Sequence, residues 1–122
     1  MEFEWKGVMP ALTTKFDESD SLDFDLFDKN VKAQLDAGVS GLILGGTLGE
    51  ASTLEPEELE ALTQKAIETA NGSVPVILNI AEGSTRRALK AVSTAEACGA
   101  DGLMLLPPMR YKPTGKETET YI

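Results

Sequence analysis

Histidine is absent, and cysteine occurs once, as Cys98. Without imidazole there is no Ser-His-Asp relay and no zinc site of the usual histidine-containing kind. A lone thiol makes no intrachain disulfide, and its place in a helical pattern reads as packing. Acid–base chemistry among these residues therefore falls to tyrosine, lysine, threonine and the carboxylates. Positive charge is scarce, with 11 Lys and Arg against 20 Asp and Glu and a formal net charge of −9. That balance repels a phosphate backbone and argues against nucleic-acid binding, while leaving room for a locally positive small-anion site. No apolar run approaches the ~20 residues that cross a bilayer. The opening Met1-Glu2-Phe3-Glu4-Trp5-Lys6 carries acids where a secretory signal has a basic start. The expectation is a cytoplasmic protein with no membrane partner.

What is present suits a folded α/β unit. Hydrophobic residues make up 42% and charged residues 25% of the 122 positions, enough for one compact domain. Four short apolar runs recur: Gly7 to Thr13, Gly41 to Gly45, Val74 to Ile80 and Gly102 to Leu106. None alternates apolar with polar, so each predicts a strand buried on both faces, as in a parallel sheet. Between them lie helical patterns. Asp23 caps a stripe of Phe24, Phe27, Val31 and Leu35, with Gly38 at its end. Pro56 opens a second helix, followed by Glu57 and Glu58 and by Leu59, Leu62, Ala66 and Ala70. Ser84 caps a third, whose inner positions are Ala88, Ala91, Val92 and Ala95, and Gly99 closes it. Thr114 and Glu117 form a capping box for a fourth.

Ala37-Gly38-Val39-Ser40-Gly41-Leu42-Ile43-Leu44 recurs as Cys98-Gly99-Ala100-Asp101-Gly102-Leu103-Met104-Leu105, an interval of about two βαβ steps. The first strand is followed by Thr14-Lys15-Phe16-Asp17-Glu18, with no glycine fingerprint of a doubly wound nucleotide-binding sheet. Regular units without that fingerprint predict an α/β fold of the (β/α)8 TIM barrel kind. A complete barrel takes ~250 residues, so residues 1–122 are expected to be one partial domain supplying about the first four βα units.

Gly45-Gly46-Thr47-Leu48-Gly49-Glu50 follows the second strand, at the end where barrel active sites lie. Such a turn brings backbone N–H groups close to a carboxylate or oxyanion, and it equally serves as a plain βα connection. Gly46-Thr47-Leu48-Gly49-Glu50 resembles the Gly-Thr-Thr-Gly-Glu signature of the N-acetylneuraminate lyase / dihydrodipicolinate synthase family. Gly7 to Thr14, Leu22-Asp23-Phe24, Ala37 to Gly41, Ser84-Thr85-Arg86 and Gly99 to Gly102 match the same family in order and spacing.

The resemblance implies a class I aldolase mechanism, in which pyruvate or a related 2-oxo acid forms a Schiff base with a lysine, with no cofactor and no metal. That lysine, on the family's sixth strand, and the tyrosine on its fifth are expected to lie beyond Ile122. The alternative is a catalytically inert half-barrel. The resemblance gives Thr47 the substrate carboxylate and a part in a hydroxyl proton relay. Leu48 departs from the family's second threonine and offers only its backbone N–H, which weakens dihydrodipicolinate synthase activity itself and leaves another lyase or dehydratase. Gly46, Gly49 and Glu50 brace the turn from behind. Tyr111 falls one place after the family's tyrosine pair, either joining the relay or merely packing. Arg110 and Lys112 attract an anionic substrate tail or stand as surface cations. Asn79 and Glu82 depart from the family's small residues and line a different pocket. Family members form homo-oligomers, so the same is expected here.

Overall fold

The computed structural model describes residues 2–122. Met1, the first of the acidic opening, lies outside the described residues. In chain order the elements are α1 (Phe24–Asp36), β1 (Leu42–Leu44), α2 (Pro56–Ala70), β2 (Val76–Ile80), α3 (Thr85–Cys98), β3 (Gly102–Leu105) and α4 (Gly115–Tyr121). The three strands form one parallel sheet in the order β1-β2-β3. Each strand thus lies beside the next in sequence with no reversal of order, the winding of a barrel and not of an open doubly wound sheet.

The first predicted strand, Gly7 to Thr13, is not a strand. It makes a single parallel bridge, Ala11 to Ile43. Pro10 is the physical reason, because it has no N–H to give to a ladder. The segment still runs along the edge of β1: Ser40 donates to Val8 O, Ile43 to Pro10 O, and Leu12 to Ile43 O at 2.8 Å. It therefore holds the place of a strand without its full set of hydrogen bonds.

The helices begin where short polar side chains satisfy their free N–H groups. Asp23 accepts from Leu26 N at 2.8 Å, Ser84 from Arg87 N at 3.3 Å, and Thr114 and Glu117 bond reciprocally. At α2, Pro56 is the first helical residue and Glu58 accepts from Glu55 N. Its end is turned by Asn71, in the left-handed region at φ 47°, one residue before Gly72.

The main core lies between sheet and helices. Leu12, Leu42, Leu44, Val76 and Leu78 meet Phe27 and Val31 of α1, Leu62, Ala66 and Ala70 of α2, and Ala95 of α3. Fully burying a side chain of the Leu or Phe kind contributes about 1.5–3 kcal/mol. Strand residues alternate sides, so Ile43, Ile77 and Asn79 face away from the helices, along with Gly102 and Met104 in register with Ile77 and Asn79. Leu12 belongs to the helix side, and its neighbour Ala11, bridged to Ile43, takes the inner position instead. The inner side is closed at the start of β3 by Phe3 and Trp5. A Cβ on Gly102 would stand 3.1 Å from either ring and 2.9 Å from Ile77 Cδ1, so the side chains pack closely over the glycine there.

Candidate functional site

The chain leaves the C-terminal end of β1 through Gly45, at φ 72°, a conformation that side chains with a Cβ rarely adopt. Gly45 O accepts Nδ2 of Asn79, from the adjoining strand β2, at 3.0 Å. The chain then coils. Gly46 O accepts from Gly49 N at 3.1 Å and from Ala51 N at 3.4 Å, and Thr47 O accepts from Glu50 N at 3.0 Å. In a trans peptide the C=O and the following N–H point in opposite directions. With the carbonyls of Gly46 and Thr47 turned forward into the coil, the N–H groups of Thr47 and Leu48 point back out of its open end. Neither donates to any acceptor among the described residues. Two such successive N–H groups form a concave donor pair suited to a carboxylate or oxyanion.

The turn is held from below. Gly49 O accepts Oγ1 of the buried Thr14 at 2.6 Å, and a Cβ on Gly49 would come within 2.9 Å of Leu12 O. Glycine is required at this point because backbone of the first segment passes directly behind it. Thr14 and Asn79 thus clamp the turn from its two flanking segments. Thr14 is the residue that sequence reasoning missed as part of the site. Its only signal is a hydroxyl that closes an otherwise apolar run.

Gly46 and Gly49 are buried, Thr47 and Glu50 are exposed, and Leu48 is 67% exposed. Glu50 supports the turn through its backbone. It sits in the left-handed region at φ 57°, and its carbonyl accepts from both N and Oγ1 of Thr53. Its carboxylate has no hydrogen-bond partner among the described residues.

The segment after β3 is placed differently. Leu106 N donates to Ile80 O at 2.9 Å, and the chain then leaves the sheet. Arg110, Tyr111 and Lys112 are exposed, Tyr111 at 80%. No hydrogen bond or ion pair joins them to the turn among the described residues, so the structure brings together Gly46, Thr47, Leu48, Gly49 and Glu50 but not Arg110 or Tyr111. No lysine lies within β1, β2 or β3. No cluster of His, Cys, Asp and Glu among the described residues has the makings of a metal site, and no helix among them is long and apolar enough to cross a membrane. Groups with displaced titration lie away from the turn. Asp28 is held below the usual carboxylate range by its bond from Lys32, and burial pushes the Cys98 thiol up.

Comparison with known proteins places this arrangement. The model of the dihydrodipicolinate synthetase family matches residues 4–122. A 4-hydroxy-tetrahydrodipicolinate synthase of Thermotoga neapolitana is 42% identical over 110 residues, which cover 90% of this chain and 37% of that protein. The crystal structure of dihydrodipicolinate synthase from Thermotoga maritima superposes with a TM-score of 0.91 at 36% identity, over 94% of this chain and 39% of that one. The chloride-inhibited dihydrodipicolinate synthase of Acinetobacter baumannii, solved in complex with pyruvate, gives a TM-score of 0.90 at 30% identity, over 94% of this chain and 40% of that one. The chain spans 37% of the Thermotoga neapolitana relative's length, and its strand–helix units are those of a TIM barrel.

Proposed function

The chain belongs to the dihydrodipicolinate synthetase family, and on that premise we propose that it carries the carboxylate-holding corner of a Schiff-base-forming lyase, aldolase or hydro-lyase acting on pyruvate or a related 2-oxo acid. The observation that carries this reading is the pair of unpaired N–H groups of Thr47 and Leu48, side by side at the C-terminal end of β1. A carboxylate set there receives two hydrogen bonds from an anchored backbone that has no need to reorganise. The 2-oxo carbon next to it is then held for attack by an amine. Loss of water from the adduct leaves a protonated imine, whose positive nitrogen draws electrons from the neighbouring carbon and so permits a carbon–carbon or carbon–oxygen bond to form or break.

Roles follow from placement. Thr47 supplies an N–H to the carboxylate and a hydroxyl for proton relay. Leu48 supplies an N–H alone, and its exposed side chain favours a partner other than the one a second threonine would hold. Gly46 and Gly49 let the turn close against Leu12, and Glu50 turns the chain behind it. Arg110 and Tyr111 act when the segment that bears them folds toward the turn, the cation toward an anionic tail and the phenol toward the relay. The amine comes from a lysine outside these residues. Residues 1–122 form a single partial domain of a cytoplasmic homo-oligomer that binds a small 2-oxo acid, with no nucleic-acid partner. Pyruvate with borohydride, applied to the protein carrying this chain at its full coding length, tests the reading. Mass spectrometry should find the reduced adduct on one lysine, and a folded protein with no adduct sinks the proposal.

A second reading concerns the 122-residue polypeptide by itself. With no lysine inside β1, β2 or β3, it is proposed to be inert alone.

A further inference from the structure

The repeated stretches Gly41-Leu42-Ile43-Leu44 and Gly102-Leu103-Met104-Leu105 each open on a glycine, and the carboxylate-holding turn makes no use of either. Gly41 stands immediately before β1 and Gly102 is the first residue of β3, so both lie at the N-terminal end of the sheet, opposite the turn. Strand residues alternate sides. Gly41 therefore shares the inner side with Ile43, and Gly102, in register with Ile77, lies there too. The interior of a TIM barrel is filled by side chains from such inner positions. Two glycines supply none, and each leaves a gap in the floor.

The opening segment fills both gaps. A Cβ on Gly41 would stand 3.0 Å from Met9 Cγ, 3.2 Å from Met9 Sδ and 3.3 Å from Pro75 Cγ. Over Gly102 lie Phe3 Cζ and Trp5 Cζ2, and the two rings are tilted together with centroids 4.8 Å apart. Residues 3–9 thus cross the floor from β1 to β3. Their course is set at Gly7, which has a φ of 85° and no room for a Cβ beside Ser40, and at Val8, whose carbonyl accepts from Ser40 N at 2.7 Å. Trp5 still exposes 63% of its surface. An indole laid on an inner glycine and otherwise bare offers a large apolar area for burial, and in a closed barrel that bare face turns toward the strands outside these residues.

We propose that residues 3–9 are a strap that plugs the N-terminal mouth of the barrel, with Phe3 and Trp5 as its stopper, so that water and small molecules reach the interior only from the end that carries the glycine turn. This rests on the reading of the chain as part of a longer barrel, and not on the Schiff-base chemistry.

The test reads Trp5 in the protein at its full coding length, its emission isolated by subtracting the spectrum of Trp5→Phe. A plugged indole emits at shorter wavelength than free indole in water, and acrylamide quenches it several-fold less. Gly102→Val fills the gap from below and should expel the ring, moving the emission to longer wavelength and raising the quenching toward that of free indole. Gly102→Val and Trp5→Ala should each lower the thermal midpoint. The double variant should lower it by less than the two losses added, because each change removes what the other would collide with. A Trp5 quenched as freely as indole in water in the unsubstituted protein overturns the inference, and so do additive losses in the double variant. Should Gly102→Val fail to fold, recovery of folding in the double variant supports the strap, and the quenching of the unsubstituted protein still decides against it. A shielded Trp5 in a protein that forms no borohydride adduct with pyruvate upholds the strap and sinks the Schiff-base reading alone.

Discussion

At the scale of single residues, two threonines divide the work of one turn. Thr14 is buried and its hydroxyl donates to Gly49 O at 2.6 Å. Replacing it with the near-isosteric valine leaves that buried carbonyl without its donor, a loss of about 1–3 kcal/mol. Thr14→Val should lower the unfolding free energy by that amount, seen in chemical unfolding as a lower midpoint with an unchanged slope. Thr47 differs, because it is exposed and its hydroxyl has no hydrogen-bond partner among the described residues. Thr47→Val should therefore leave stability within about 0.5 kcal/mol, the range of a surface substitution. In the protein at full coding length it should lower turnover about 100-fold, as expected when a positioned group leaves a proton-transfer network. A variant with near-normal turnover removes Thr47 from the mechanism, and one that fails to fold shows that it supports the turn. The motif from Gly46 to Glu50 was legible as a sequence because glycines and a hydroxyl crowd the end of an apolar run. The clamps were not, since Thr14 is 35 residues from Gly49, and a contact at such separation leaves no local pattern.

At the scale of elements, helices were the more legible. Asp23, Ser84 and Thr114 announce their helices because capping is a local bargain between one side chain and the nearest free N–H groups. The first segment misled for the opposite reason. Its apolar run says that Gly7 to Thr13 is buried strand, but strand pairing is settled by every N–H along the edge, and Pro10 lacks one. Contacts between helices are likewise invisible in the sequence. Asp28 of α1 bonds Lys32 on its own helix, accepts from Thr69 Oγ1 of α2, and lies 3.8 Å from Lys65 of α2. The bond from Lys32, then that from Thr69, hold the Asp28 carboxyl below its ordinary range. A carboxyl whose pKa is lower folded than unfolded adds stability above its unfolded value, and that increment is lost as pH falls through the folded value. Stability measured from neutral pH down into the acid range should thus drop less in Asp28→Asn than in the unsubstituted chain, because the amide has no charge to lose. Parallel curves for the two would mean that the cluster contributes nothing. Since Lys32 is exposed, its share of the difference should shrink in high salt.

For the whole molecule, the open question in a sheet of this kind is what closes its free edge and its inner side. β3 ends the sheet order, and its Leu103 and Met104 are 36% and 37% exposed. Along that strand, N–H and C=O groups on the side away from β2 have no neighbouring strand among the described residues, and an unpaired edge is a template for another chain. The helix side of the sheet is well covered through β1 and β2, where Leu42, Leu44, Val76 and Leu78 belong to the main core and Ile80 is also buried. Cover thins at β3, where α4 is only seven residues long and has no buried residue. On the inner side Phe3 and Trp5 reach Gly102, but they cover only the start of β3, and Met104 lies further along. A polypeptide of these 122 residues alone is therefore expected to bury the β3 edge and Met104 against a second copy, since parallel strands this apolar seek cover on both faces. Sedimentation should show a dimer or larger species with a concentration-dependent thermal midpoint. Placing a lysine at Met104, which puts a charge on the inner side of the edge strand, should shift that equilibrium toward monomer without lowering helix content. Pyruvate and borohydride added to the same assembly should leave every lysine unmodified, because assembly pairs edges but brings no amine to the end of a buried strand, where desolvation would lower its pKa enough for attack. A monodisperse monomer with a concentration-independent transition would show that Phe3, Trp5 and α4 already suffice to close the sheet. Site-specific trapping on one lysine would instead show that two copies of this chain can complete the site between them.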